Sequence, residues 1–98
     1  MIRHTVVFTL KYPPGSEEEK SFFEAASQLA GIPGVGKFES LRQISKKNQY
    51  AFGFSMEFEN AAVYDAYNRD ALHVRFIEEY WVNAVTDFME IDYEIMSD

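Results

Sequence analysis

Residues 50–59 read Tyr50-Ala51-Phe52-Gly53-Phe54-Ser55-Met56-Glu57-Phe58-Glu59. A ring or a thioether alternates with a small or polar side chain. That is the pattern of a strand with one buried face, because successive side chains point to opposite sides of a sheet. Tyr50, Phe52, Phe54, Met56 and Phe58 share the buried face, and Ala51, Gly53, Ser55 and Glu57 share the other. Just upstream, Ser45 to Gln49 is a polar turn. Before it, Val35 to Ile44 reads as a second strand, interrupted by Lys37, Glu39, Arg42 and Gln43. Two strands joined by a short polar loop make a hairpin.

Downstream, Asn60 is a good N-cap for a short helix from Ala61 to Asn68. Asp70 is a second N-cap, opening a longer helix from Ala71 to Val85 with Phe76, Ile77, Tyr80, Trp81 and Ala84 on its apolar stripe. Thr86 to Ile95 alternates again, with Met89, Ile91, Tyr93 and Ile95 on one side. At the start of the chain, Ile2 to Lys11 alternates too, placing Ile2, His4, Val6, Phe8 and Leu10 on one face. Pro13-Pro14-Gly15 stops that strand. Ser16 and Glu19 then form a capping box, and Glu17, Glu18 and Glu19 suit the positive end of a helix dipole. Phe22, Phe23, Ala26, Leu29 and Ala30 give this first helix its stripe, and Gly31 with Pro33 ends it. The order is β-α-β-β-α-β with the second helix broken. This is an α+β chain of the split-βαβ, ferredoxin-like kind, with one antiparallel four-stranded sheet and a single domain over residues 1–98.

Helices cover one side of such a sheet. The ring-bearing side faces them, while the other side retains Val7, Leu41, Phe88, Ala51, Gly53 and Ser55. A semi-apolar open face on a small domain needs a cover, and a second copy is the simplest one. The expectation is a homodimer whose two sheets pack about 10 Å apart into an α/β barrel.

Composition narrows the function classes. The chain has 98 residues, nine Phe, six Tyr, one Trp and no Cys. Disulfide scaffolds, thiolate metal sites and cysteine nucleophiles are excluded. Net charge is −7, and it is uneven: residues 1–49 carry seven basic and five acidic side chains, residues 50–98 two and eleven. No cluster of Lys and Arg exceeds the pair Lys46–Lys47, which argues against nucleic acid and against anionic membranes as partners. The opening Met1-Ile2-Arg3-His4 lacks the apolar region of a signal peptide, and no apolar run reaches spanning length, so a cytoplasmic location is expected.

Only two side chains are histidine, His4 and His73. His4 lies on the inward face of the first strand. His73 lies in the first turn of the long helix, on the side of Phe76, Ile77 and Tyr80. Imidazoles on apolar stripes need partners, and backbone carbonyls are the plain structural choice. Tyr67 ends the short helix, and the break at Arg69-Asp70 turns the chain so that Tyr67 and His73 look into one space above the sheet. A phenol and an imidazole within reach of one another suit acid–base work on an enolisable carbonyl, although from spacing alone a ring in the core with its hydroxyl at the rim is the better account of the tyrosine. Asp70 caps the helix and also stands near enough in sequence to raise the pKa of His73. Phe8, Phe54 and Tyr80, on the same inward faces, are the expected apolar contacts for a ligand, with His4 binding or orienting it.

Other signals fail. Gly31-Ile32-Pro33-Gly34-Val35-Gly36 follows a helix and opens a strand, the wrong order for a phosphate cradle. No metal-ligand spacing links the histidines, so no metal and no cofactor is expected. No serine sits in a G-x-S-x-G elbow. Trp81 reads as core.

The opening Met1-Ile2-Arg3-His4-Thr5-Val6-Val7-Phe8, the Ile32-Pro33-Gly34-Val35 turn, the Tyr67-to-His73 segment before Phe76 and the closing Asp92-Tyr93-Glu94 resemble the stress-responsive A/B barrel (Dabb) family over essentially the whole chain. The resemblance implies a ferredoxin-like dimer forming an α/β barrel. One plant branch of that family consists of polyketide cyclases that close a linear poly-β-keto thioester by an aldol reaction without cofactor. There a first-strand His, a Tyr before the helix break and a His after it line the cavity, at positions matching His4, Tyr67 and His73. The family's usual His-Pro-x-His reads Asp70-Ala71-Leu72-His73 here, so its first His and its Pro are lost.

The leading expectation is thus a dimeric protein that binds a small apolar or aromatic carbonyl compound, with Tyr67 and His73 as catalytic acid–base pair. A binding or structural stress-related module without chemistry is the alternative. A haem-type or cofactor-free monooxygenase, with His73 as an axial haem ligand, ranks last, because the first strand lacks the Asn that haem-degrading barrels place there.

Overall fold

The alternating stretch becomes one central strand of the sheet in the computed structural model, which describes residues 1–96. The elements run β1 (Ile2–Leu10), α1 (Glu17–Ser27), β2 (Gly36–Arg42), β3 (Phe52–Phe58), α2 (Ala61–Arg69), α3 (residues 71–84) and β4 (Val85–Glu94). One sheet forms in the order β2-β3-β1-β4, with every neighbouring pair antiparallel. The ferredoxin-like arrangement read from the element order is the observed one.

Local chemistry accounts for the helix starts. The Ser16 hydroxyl accepts from Glu19 N, and the Glu19 carboxylate reaches back to Gly15 N, one residue short of a full capping box. Asn60 Oδ1 accepts from Val63 N, and Asp70 Oδ1 from Leu72 N. These are the orphan amides that a helix start exposes. The end of α1 tightens into a 3-10 turn over Gln28–Gly31, shortening the regular helix relative to the sequence expectation. Pro33 and Gly34 then form a β-turn closed by Val35 N donating to Ile32 O at 3.1 Å. Gly34 has φ +92°, and a Cβ there would collide with the Val63 side chain, so only glycine fits.

Strands β2 and β3 are both shorter than their patterns suggest. Between Gly36 and Glu39 the register slips, and Lys37 takes a positive φ of 48°. This bulge re-aims the start of β2 so that Phe38 packs inward, 5.5 Å from Phe54.

The core lies between the three helices and one face of the sheet. Phe8 is fully buried at its centre, with ring centroids 4.7 Å from Phe54 and 5.1 Å from Trp81. Burying one such ring stabilises the fold by roughly 1.5–3 kcal/mol.

Helix α3 is not regular. It begins as α-helix over Ala71–Phe76, widens into a π-helical stretch over Ile77–Trp81 and ends as Val82–Ala84. The extra residue per turn changes which side chain follows Phe76 on the inner face. Trp81 takes the inward place beside Phe8, while Tyr80 is turned outward, 40% exposed and stacked on Phe76.

A second side-chain placement also differs from the sequence reading. Phe88 pairs with Phe8 across β1 and β4, and its ring meets Trp81 edge-on at 5.6 Å, so it belongs to the helix side and not to the open face. The reason is the phase of β4: Phe88, Glu90 and Asp92 alternate toward the helices, leaving Met89, Ile91 and Tyr93 on the open face.

Candidate functional site

Beneath α3, between the helices and the β1–β4 side of the sheet, lies a cavity of about 500 Å³. His4, Tyr67 and His73 all line it, together with Phe54, Trp81 and Glu90. Three elements deliver the polar groups. Strand β1 presents His4 inward by its alternation. The last turn of α2 presents Tyr67. The Asp70 cap then redirects the chain, so that the first turn of α3 brings His73 over Tyr67, with ring centroids 4.4 Å apart. His4 stands 6.3 Å from Tyr67, centroid to centroid.

Each imidazole has one nitrogen committed. His73 Nδ1–H donates to the Asn68 carbonyl at 3.2 Å, the backbone partner foreseen for such a residue. His4 Nδ1 instead lies 2.5 Å from Asp92 Oδ1, a side chain that sits opposite it in the β1–β4 register. Because a carboxylate only accepts, Nδ1 must carry the proton. Tyr64 completes this group. Its hydroxyl donates to Asp92 Oδ2 at 2.8 Å and stands 2.9 Å from His4 Nδ1. In the neutral ring of each histidine, Nε2 is therefore the lone-pair nitrogen.

The environment tunes these groups. Burial lowers the His73 pKa below its ordinary value, and the neighbouring His4 acts in the same direction. The Asn68 carbonyl, Glu90 and Asp70 oppose it, so the upward pull expected of Asp70 is present but outweighed by desolvation. Burial likewise raises the pKa of Tyr67, with the Glu90 charge adding to it. Tyr64 is raised by burial and by its bond to Asp92. Near neutral pH the site thus offers a buried phenol that keeps its proton beside an imidazole that lacks one. No protein group among the described residues hydrogen-bonds the Tyr67 hydroxyl, which contributes to the cavity wall.

Of the residues singled out from sequence, His4, Phe54, Tyr67 and His73 line the cavity. Phe8 and Tyr80 do not. Phe8 lies beneath it with no exposed surface, and Tyr80 faces a separate shallow groove beside Ala25 and Arg75 because of the π-helical stretch. Sequence reasoning passed over Tyr64, Asp92 and Glu90. Tyr64 was within reach, since i and i+3 place it beside Tyr67 on one helix face. Asp92 and Glu90 needed the β1–β4 register. Among the described residues, no group of three or more His, Asp or Glu side chains is placed to hold a metal ion. No helix among them is long and apolar enough to cross a membrane.

The family model for the stress responsive A/B barrel domain matches residues 2–95. The chain belongs to this family. A Dabb family protein with a ferredoxin-like fold from Mesorhizobium loti is 52% identical and superposes with a TM-score of 0.94, covering 98% of this chain and 97% of its own. More distant structures share the fold alone. A dimeric protein of unknown function from Bacteroides fragilis is 23% identical with a TM-score of 0.73, covering 96% of this chain and 95% of its own. A hydroxynitrile lyase from Passiflora edulis is 13% identical with a TM-score of 0.85, covering 99% and 94%. No curated protein sequence matches this Dabb chain.

Proposed function

We propose that the cavity binds a small, largely apolar or aromatic carbonyl compound and acts on it by acid–base chemistry without a cofactor. The observation that carries this reading is the meeting of Tyr67 and His73, rings 4.4 Å apart, on the wall of one 500 Å³ cavity with His4 beside them. That volume falls in the range of small-molecule sites, and the lining is mostly apolar with a few polar groups gathered together.

The division of labour follows from the protonation states. His73, its pKa held down by burial, takes a proton from the carbon next to the carbonyl at Nε2. The electrons of the broken C–H bond move to the carbonyl oxygen, where the Tyr67 O–H donates a hydrogen bond to the enolate. His4 orients the ligand, with Asp92 and Tyr64 keeping its ring in one tautomer. An enolate formed this way either takes its proton back or attacks a second carbonyl, as an aldol closure requires.

A second copy is the expected cover of the open sheet face. There Leu41, Met89 and Tyr93 are exposed beside Val7, and the Bacteroides fragilis structure of the same fold is a dimer.

Proton exchange tests the chemistry without knowledge of the natural substrate. Phenylacetone in D₂O is expected to exchange its benzylic hydrogens faster with the protein than in buffer, and Tyr67→Phe and His73→Ala are expected to remove the acceleration. Phenylacetone that binds in the cavity but exchanges at the buffer rate overturns the catalytic reading and leaves a non-catalytic binding module.

A further inference from the structure

Glu90 is the one acidic side chain on the cavity wall, and no Lys or Arg lines it among the described residues. Its place opposite Val6 turns it to the helix side of the sheet, where β4 forms the edge. None of the ion pairs formed among the described residues involves it. The surrounding wall is aromatic, with Phe54, Phe76, Trp81 and Phe88 contributing ring surface. A carboxylate without a cation, set against several aromatic rings, is complementary to a positive group, since ring faces and carboxylate both attract one.

The polar inventory agrees. His4 and His73 each spend their Nδ1–H on Asp92 and Asn68, so only Nε2 of either ring is left for a ligand, and in His73, whose pKa burial lowers, that nitrogen accepts. Glu90 accepts only. Tyr67 O–H and the Trp81 indole N–H, neither with a protein acceptor among the described residues, are the side-chain donors of the wall besides the imidazoles. Acceptors outnumber donors, so a ligand rich in N–H donors satisfies this cavity and a carboxylate or phosphate leaves it unpaired. The wider field acts in the same sense, because the half of the chain from residue 50 onward carries eleven acidic side chains and two basic ones.

We propose that Glu90 makes the cavity selective for an organic cation, an ammonium group on an apolar or aromatic body, with the ammonium at the β4 rim and the body over Trp81. This rests on the reading of the cavity as a ligand site and specifies what class of molecule enters it. Glu90 is then a specificity residue, distinct in role from Tyr67 and His73 although its charge also acts on both.

Three probes of one shape test it: 2-phenylethylamine, 2-phenylethanol and 3-phenylpropanoate, followed by the fluorescence of the single tryptophan, Trp81. The amine is expected to bind about tenfold tighter than the alcohol at low salt, the sum of a modest cation–π and a partly exposed ion-pair contribution. The carboxylate is expected to bind weakest, and salt is expected to narrow the gap. Glu90→Gln, an exposed position whose change leaves the urea midpoint in place, is expected to bring amine and alcohol within about twofold while the alcohol itself is unchanged. Equal binding of amine and alcohol to the parent protein, or an amine preference that survives Glu90→Gln, overturns the role of Glu90 and leaves the ligand cavity standing. No response of Trp81 to any of the three overturns the cation proposal, and phenylacetone followed by the same fluorescence then shows whether the ligand cavity itself stands.

Discussion

His4 and Asp92 face one another across adjoining strands, imidazole Nδ1 to carboxylate Oδ1 at 2.5 Å, with the Tyr64 hydroxyl bridging to the second carboxylate oxygen. The imidazole is buried and the carboxylate is 40% exposed, so this group links the cavity to the outer edge of the sheet. It fixes which nitrogen of His4 is free, something neither residue does alone.

Asp92→Asn is expected to cost about 1 kcal/mol of stability, the usual worth of a partly exposed hydrogen bond, read from urea denaturation. The more specific outcome is spectroscopic. The ¹⁵N shifts of His4 are expected to lose the single Nδ1–H pattern, because an amide no longer demands a proton from the ring. An unchanged tautomer would show that Tyr64 alone holds it.

Tyr67→Phe separates chemistry from folding. The hydroxyl has no protein partner, so its loss is expected to alter stability by less than about 0.5 kcal/mol while removing catalysed proton exchange. A large fall in the urea midpoint would instead mark the hydroxyl as a structural group.

The depressed pKa of His73 makes stability pH-dependent in a definite sense. Below its ordinary value of 6.5 the unfolded chain binds a proton at this residue that the folded chain refuses. Its contribution is therefore complete above 6.5 and is lost as pH falls from there through the lower folded-state value. Wild type is expected to lose more stability than His73→Gln between neutral and mildly acidic pH, and the His73 Hε1 resonance to titrate below 6.5. Parallel losses in the two proteins would contradict the effect of burial.

Phe8→Ala is expected to destabilise by about 3–5 kcal/mol, since it empties the centre of the ring cluster. A residue on a ligand wall would cost less and would change binding instead. Urea midpoints and probe affinity, measured together, decide between the two.

Met89→Asp places a charge on the open sheet face, where the side chain is 46% exposed in the single chain. A dimer packed on this face is expected to dissociate at least about tenfold more readily, because the charge would be buried without a partner. Sedimentation across a concentration series measures it. Unchanged self-association would place the interface elsewhere.

Much of this protein was legible in one dimension. Alternation over residues 50–59, the caps Ser16, Asn60 and Asp70, and the turn at Pro33-Gly34 are local signals, and each depends on neighbours within a few residues. Together they determined the element order, the ferredoxin-like sheet and, through residues along the whole chain, the family. His4, Tyr67 and His73 were also nameable, because each stands out chemically on an apolar stripe.

What the tertiary structure decided is everything that depends on register and on helix winding. Asp92 is distant from His4 in sequence, and only the β1–β4 pairing sets it against that ring and turns Glu90 into the cavity. A one-residue slip would send both carboxylates to the open face. The π-helical stretch over Ile77–Trp81 turned Tyr80 off the inner wall while Trp81 stayed on it, and the phase of β4 put Phe88 on the helix side. Local periodicity assumes a regular element, whereas strand register and helix winding are settled by packing against the rest of the fold.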